Sequence, residues 1–226
     1  DVVLLQDGRV LVSGGHWPPG STDVEKTVLL FDPTVGGATG TWSRCGGADL
    51  GTNSAKMQDD RFYHTATLLM DGKVLIAGGT KDGGGVFQGK MGSFSSNNIL
   101  NSADLCIAAG RGPDEVIVRP TGNMKSPRLF HTATLLKDGR VLITGGFDYA
   151  TISRVPDATA TAEIYDPSSK TFRYTAGSMI EPRAGHQATL GAELTYASQR
   201  FCQCFSNILQ VTFEAIGVSH VHRVGV

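Results

Sequence analysis

The sequence lacks the marks of several large protein classes. No apolar run is long enough to span a bilayer, and the start, expected to be missing, is uninformative about a secretory leader. Charge of one sign is also missing: 20 basic against 21 acidic residues leave a net charge of −1, so nothing favours nucleic acid or an anionic membrane as partner. The four cysteines establish neither a disulfide framework nor a reducing compartment. No stretch carries a helical hydrophobic period. No glycine-rich phosphate loop links a strand to a helix and no Gly-x-Ser-x-Gly occurs, so nucleotide binding and serine hydrolysis have no support.

What is present is a repeat. The segment from Arg61 to Gly79 returns almost unchanged from Arg128 to Gly146, and a clipped copy runs from Val2 to Gly15. In each copy two apolar runs, such as Thr65 to Leu69 and Val74 to Ala77, flank an Asp-Gly pair. That pattern predicts a β-hairpin closed by a tight turn with positive φ. Val141-Leu142-Ile143 is apolar at consecutive positions, as expected of a strand covered on both faces. The doublets Gly78-Gly79 and Gly145-Gly146 mark places where backbones crowd or take angles that a Cβ forbids.

Ala162-Glu163-Ile164-Tyr165-Asp166-Pro167 matches Leu29-Leu30-Phe31-Asp32-Pro33, and each is followed by an aromatic strand at Thr171-Phe172 or Thr41-Trp42. Proline after aspartate stops the third strand and opens a turn to a fourth. With 226 residues, 29 of them glycine, the chain reads as all-β with a sizeable core.

Paired glycines, a Tyr-Asp-Pro type turn and a later Trp or Phe resemble kelch repeats, and the Asp-Gly variant is similar to the central domain of galactose oxidase-like proteins. Kelch units have a period of about 50 residues and build four-stranded β-propeller blades. The resemblance covers residues 1 to about 190. It implies a partial kelch-type β-propeller of about three and a half four-stranded antiparallel blades. Residues 1–60 would hold a truncated first blade and its connection, 61–127 a second blade with a loop insertion, 128–182 a third, and 183–226 the start of a fourth with an out-of-register tail. Asp71 and Asp138 each follow a histidine by seven residues, and for Asp7 that histidine would precede residue 1. The chain is therefore expected to open inside a blade, as a fragment.

Met57, Met124 and Met179 each lie four residues before Arg61, Arg128 and Arg183, as core between units would. The segment from Thr80 to Ser102 is long and rich in Gly, Ser and Asn. With His16, Trp17, Lys81 and Phe87 it supplies candidate binding loops. Cys106 replaces an aromatic and reads as a buried, inert thiol. Beyond Leu190 the pattern fails. The tail is either an out-of-frame end or a true divergent terminus, and Ile208 to Ile216 could form a strand. Its Cys202-x-Cys204 and His220-x-His222 lack the spacing of a structural zinc site.

A residue that recurs in every unit reads as structural. Arg61, Arg128 and Arg183, with His64, His131 and His186, are thus expected to tie strand ends and neighbouring units together. Tyr63 breaks the pattern, standing where other units have Phe130 and Gly185. Copper radical oxidases of the galactose and glyoxal oxidase group carry an Arg-x-Tyr segment before a Leu-x-x-Asp-Gly hairpin, and Arg61-Phe62-Tyr63-His64 with Leu69-Met70-Asp71-Gly72 is similar. By that resemblance Tyr63 would be catalytic, Tyr63 and His64 would bind copper, and the protein would be secreted. The first expectation is different: a non-catalytic scaffold whose loops bind a protein or carbohydrate ligand, without a cofactor and otherwise cytoplasmic.

Overall fold

The computed structural model describes residues 1–15, 26–45, 56–81, 98–110, 115–149 and 156–191. Residues Asp1–His186 form one compact unit. Gln187–Val226 form a second, of which 187–191 are described. His16, Trp17, Phe87 and the tail's cysteine and histidine pairs lie outside the described residues, as does Ile208 to Ile216.

The chain is all-β, as its repeat predicts. Three four-stranded antiparallel sheets follow one another along the sequence. The first holds β1 (Val2–Leu4), β2 (Val10–Ser13), β3 (Val28–Asp32) and β4 (Thr41–Arg44). The second holds β5 (Thr65–Leu68), β6 (Val74–Ala77), β7 (Ala103–Ala108) and β8 (Val116–Pro120). The third holds β9 (Thr132–Leu135), β10 (Val141–Thr144), β13 (Ala162–Asp166) and β14 (Thr171–Tyr174). A two-stranded hairpin, β11 (Phe147–Tyr149) with β12 (Pro156–Ala158), interrupts the third sheet in sequence. Strands pair in chain order within each sheet.

Each first hairpin closes in the tight turn with positive φ that Asp-Gly predicts, the positive φ falling on the glycine. Leu69 N–H donates to Lys73 O (2.7 Å) and Gly72 N–H to Leu69 O (3.1 Å), a three-residue loop in which only Gly72 (φ 81°) is left-handed. The aspartate instead braces the loop from its side chain. Asp71 Oδ1 accepts the Lys73 N–H at 3.2 Å, and Asp138 Oδ1 accepts the Arg140 N–H at 3.1 Å. The same carboxylates pair with the Lys73 and Arg140 side chains, holding both acids below the usual carboxylate range. At the end of the third strands, Asp166 Oδ1 accepts the Ser168 N–H at 2.9 Å and Asp32 Oδ1 the Thr34 N–H at 2.8 Å. The proline between them ends each strand inside a side-chain-capped turn.

The core lies between sheets. All four residues of β6 are buried, and alternate side chains enter two different clusters. Val74 and Ile76 pack with Leu11, Val28 and Leu30 of the first sheet, and Leu75 and Ala77 with Val141, Ile143 and Tyr165 of the third. This is the two-faced burial expected of a consecutive apolar run. Met57 joins the first cluster and Met124 the second, each as core between consecutive sheets. Cys45 and Cys106 are buried free thiols, both pushed up to about 12 by burial, which leaves them protonated and unreactive.

Candidate functional site

The site begins at the glycine doublets. Gly78 has φ 65°, and a Cβ there would lie 2.6 Å from Arg128 O, 2.7 Å from His131 Cε1 and 2.9 Å from Met124 Cε. Gly145 has φ 61° and faces Arg183 O, His186 Cε1 and Met179 Cε at 2.3, 2.9 and 3.0 Å. The doublet is thus the seat into which the Met, Arg and His of the following unit fit. Its second member completes the join: Gly79 N–H donates to Arg128 O (2.7 Å) and Gly146 N–H to Arg183 O (2.9 Å).

The recurring arginines close their own units. Arg61 is fully buried; its Nη1 donates to Gly78 O and Ser102 O, its Nη2 to Asp104 Oδ2 at 2.8 Å. Arg128, equally buried, donates to Gly145 O, Thr161 O and Glu163 Oε1, the last at 2.9 Å. The recurring histidines reach backwards instead. His64 Nε2 shares a hydrogen bond with Ser13 Oγ (2.8 Å), and His131 Nε2 one with Thr65 Oγ1 (2.9 Å). His186 Nε2 lies 3.3 Å from Thr132 Oγ1 and 3.2 Å from Thr144 Oγ1. Burial drives all three imidazoles toward neutrality, His64 well below its ordinary value and His131 to about 3.

One residue before each histidine the backbone is left-handed: Tyr63 at φ 56°, Phe130 at 55° and Gly185 at 65°. For an aromatic residue this conformation is uncommon and strained. It aims the two rings at each other. The Tyr63 ring lies between Phe62 and Phe130, with centroids 3.8 Å away on each side, and Phe147 meets Phe130 edge-on at 6.1 Å. Backbone bonds tie the corners together, Phe130 N–H to Tyr63 O (3.2 Å) and Gly185 N–H to Phe130 O (2.8 Å). Above them opens a cleft of about 430 Å³, lined by Phe62, Tyr63, His64, Phe130, His131 and His186 among others.

Tyr63 and His64 therefore share one wall, as the oxidase resemblance requires. His64 Nε2 is nonetheless committed to Ser13, and burial raises the Tyr63 hydroxyl above its ordinary value, away from the phenolate a copper ion would need. Among the described residues no three His, Cys, Asp or Glu side chains gather to hold a metal. As placed, His64 is hydrogen-bonded to Ser13 and the Tyr63 ring is stacked between its aromatic neighbours.

Of the loop candidates, Lys81 is exposed and pairs with Asp59 Oδ1 at 2.5 Å. The expected binding segment proves structural at its ends, where Thr80, Ile99, Leu100 and Ser102 are buried and Ser102 holds Arg61. Sequence reasoning overlooked Phe130, Asp59, Asp104 and the hydroxyls that meet the histidines. The one signal for the left-handed corner was Gly185, which shares a column with Tyr63 and Phe130.

These features define a class: an all-β protein of consecutive four-stranded antiparallel sheets, joined by glycine seats and bearing an aromatic cleft over a row of neutral histidines. No family model matches the sequence, and no curated protein matches it significantly. No helix of the described residues is long and apolar enough to cross a membrane.

Proposed function

We propose that the chain is a kelch-type β-propeller segment of about three and a half blades, acting as a non-catalytic scaffold that binds a protein or carbohydrate ligand through its loops and the cleft beside Tyr63. The observation that carries this reading is the commitment of the recurring polar residues. Arg61 and Arg128 are spent on carbonyls and acids of their own units, and His64 and His131 on hydroxyls of the preceding sheet. Their chemistry is used to hold the frame. What the frame leaves on display is a ring-walled cleft whose one charged lining residue is Asp1, a setting for recognition by shape and hydrogen bonding.

The test is a binding screen of the full chain against a panel of neutral oligosaccharides and a random-peptide display library, repeated with Tyr63→Ala and with residues 82–97 replaced by a Gly-Ser linker. Keeping Thr80 and Ile99 to Ser102 preserves the buried supports. Loss of binding in either variant, with the fold intact, supports the scaffold. Binding untouched by both changes rejects the cleft and the loop together. The copper oxidase reading retains one supporting observation, Tyr63 and His64 on a single cleft wall. Titration with Cu(II) decides it: no binding and no Tyr63-dependent absorbance ends it.

A further inference from the structure

We propose that Cys45 and Cys106 bind one soft monovalent metal ion of the Cu(I) and Ag(I) class, held as a two-coordinate bis-thiolate between the first and second sheets. The site is separate from the cleft. Both thiols belong to the buried cluster that joins those sheets, Cys45 from the first and Cys106 from β7 of the second.

The repeat shows what these two places do. Cys45 continues β4 with its N–H on Val28 O (2.9 Å), as Thr121 continues β8 with its N–H on Ala103 O (2.9 Å). Cys106 lies opposite Val74 in β6, and Tyr165 opposite Val141 in β10. The two cysteines thus stand where the next interface has Thr121 and Tyr165, whose hydroxyls meet at 2.9 Å. The first interface has exchanged both members of a polar pair for thiols. One cysteine in a core is packing; two at places that meet across an interface are a pair.

Distance decides what such a pair can hold. The two interfaces share the same joins: Gly15 N–H donates to Arg61 O (3.2 Å) as Gly79 N–H does to Arg128 O (2.7 Å), and His64 and His131 bond alike. The spacing of the sheets therefore carries over. A phenol ring and a hydrogen bond separate Thr121 Cβ from Tyr165 Cβ, far more than the roughly 3.8 Å that a disulfide spans between Cβ atoms. With cysteine at both places, much of that ring's width stays between the sulfurs. Val118 in place of Phe172 widens it, and Val28 in place of Ala103 refills only part. A metal ion bridging two thiolates holds the sulfurs about 4.6 Å apart, twice a metal–sulfur bond of about 2.3 Å. That reach fits, and a disulfide's does not.

The donors select the ion. Among the described residues no third Cys, His, Asp or Glu joins the two thiols, which suits a soft ion content with two sulfurs and not Zn(II), which takes four ligands. Burial leaves both thiols protonated, but a coordinating metal deprotonates a thiol outright. Each cysteine gives its proton to solvent as a sulfur–metal bond replaces S–H. No oxidant is needed, and the centre carries one negative charge. Charge on Cys45 disfavours charge on Cys106, a repulsion that a cation between them reverses. Arg9, itself buried, favours the Cys45 thiolate; Asp104, which disfavours that of Cys106, is paired with Arg61.

Ag(I) binding by the full chain tests this, in a Cys202→Ser/Cys204→Ser background that silences the tail's thiols. The chain is refolded from urea with Ag(I) and desalted. One ion per chain stays bound, with a thiolate-to-metal absorbance in the ultraviolet and a raised thermal midpoint. Cys45→Ser and Cys106→Ser each remove the ion and its absorbance. Cys45→Thr with Cys106→Tyr copies the second–third interface; it keeps its circular dichroism and binds none, which separates loss of ligands from loss of fold. The proposal is overturned if the background chain retains no Ag(I), or retains as much after both cysteines are replaced. It is also overturned if oxidised glutathione joins Cys45 to Cys106 in the native chain, since a disulfide there would put the sulfurs too close to bridge.

Discussion

In the third sheet Glu163 reaches the backbone N–H groups of Lys125 (2.7 Å) and Ser126 (3.0 Å) while also holding Arg128 through two nitrogens. Asp104 of the second sheet is one methylene shorter. It sits 3.4 Å from the matching N–H of Gln58 and holds only one nitrogen of Arg61, whose Nε is buried without a partner. The second unit compensates with another acid. Asp59 stands where the third unit has Ser126; it accepts the Ser102 hydroxyl at 2.6 Å and pairs with Lys81. One constellation thus survives a change of side-chain length by recruiting a neighbour, at the cost of a looser grip on its arginine.

The largest test of that difference removes the arginines. Either Arg→Ala change strands a buried carboxylate and costs about 3–5 kcal/mol. Arg128→Ala should lie at the upper end, because Arg128 makes more bonds, and urea denaturation that finds Arg61→Ala the costlier would reverse the comparison. Next come the glycine seats. Alanine at Gly78 or Gly145 meets a backbone carbonyl at 2.6 or 2.3 Å in a left-handed conformation, a loss of about 2–4 kcal/mol. The tighter Gly145 should lose more. Equal loss would mean the two seats do not differ in grip.

Acid supplies the third test. His131 is neutral in the fold down to about pH 3 but titrates near its ordinary value when unfolded. Above that ordinary value both states are neutral and nothing is lost. As pH falls below it the unfolded chain takes up the proton first, so stability declines by up to about 1.4 kcal/mol per pH unit for each such histidine and levels off below the folded value. His131→Gln should flatten the decline measured by urea unfolding between pH 7 and 4, and an unchanged slope would remove this histidine from the account. Smallest is Asp59→Asn, about 1 kcal/mol for a partly exposed hydrogen-bonded pair. Combining Asp59→Ser with Asp104→Glu copies the third unit and should recover most of what Asp59→Ser alone loses.

Much of this architecture was legible in the sequence because its causes are local. The Asp-Gly hairpins, the strand-ending Asp-Pro and the apolar run at Val74 to Ala77 each carry their reason within a few residues. The doublet glycines were legible as crowded positions, but what crowds them was not. Met124, Arg128 and His131 lie far along the chain from Gly78 and meet it only when two sheets pack. The acid partners were hidden for a similar reason: different insertions separate Asp104 from Arg61 and Glu163 from Arg128, so no fixed spacing joins them. The tight turn with positive φ was legible as well, since Gly72 adopts it, but the side-chain brace that Asp71 adds was not. The strained corner at Tyr63 and Phe130 ran against residue preference altogether; the bonds Phe130 N–H to Tyr63 O and Gly185 N–H to Phe130 O, with the ring contacts, join these corners only once the units pack.

The glycine seats carry a consequence for how such a chain lengthens. The second and third units each bring a socket at one end, Gly78 or Gly145, and the matching plug, methionine, arginine and histidine, at the other. A gene duplication therefore delivers each new copy with both halves of its fastening already made, and growth by whole units needs no interface to be invented.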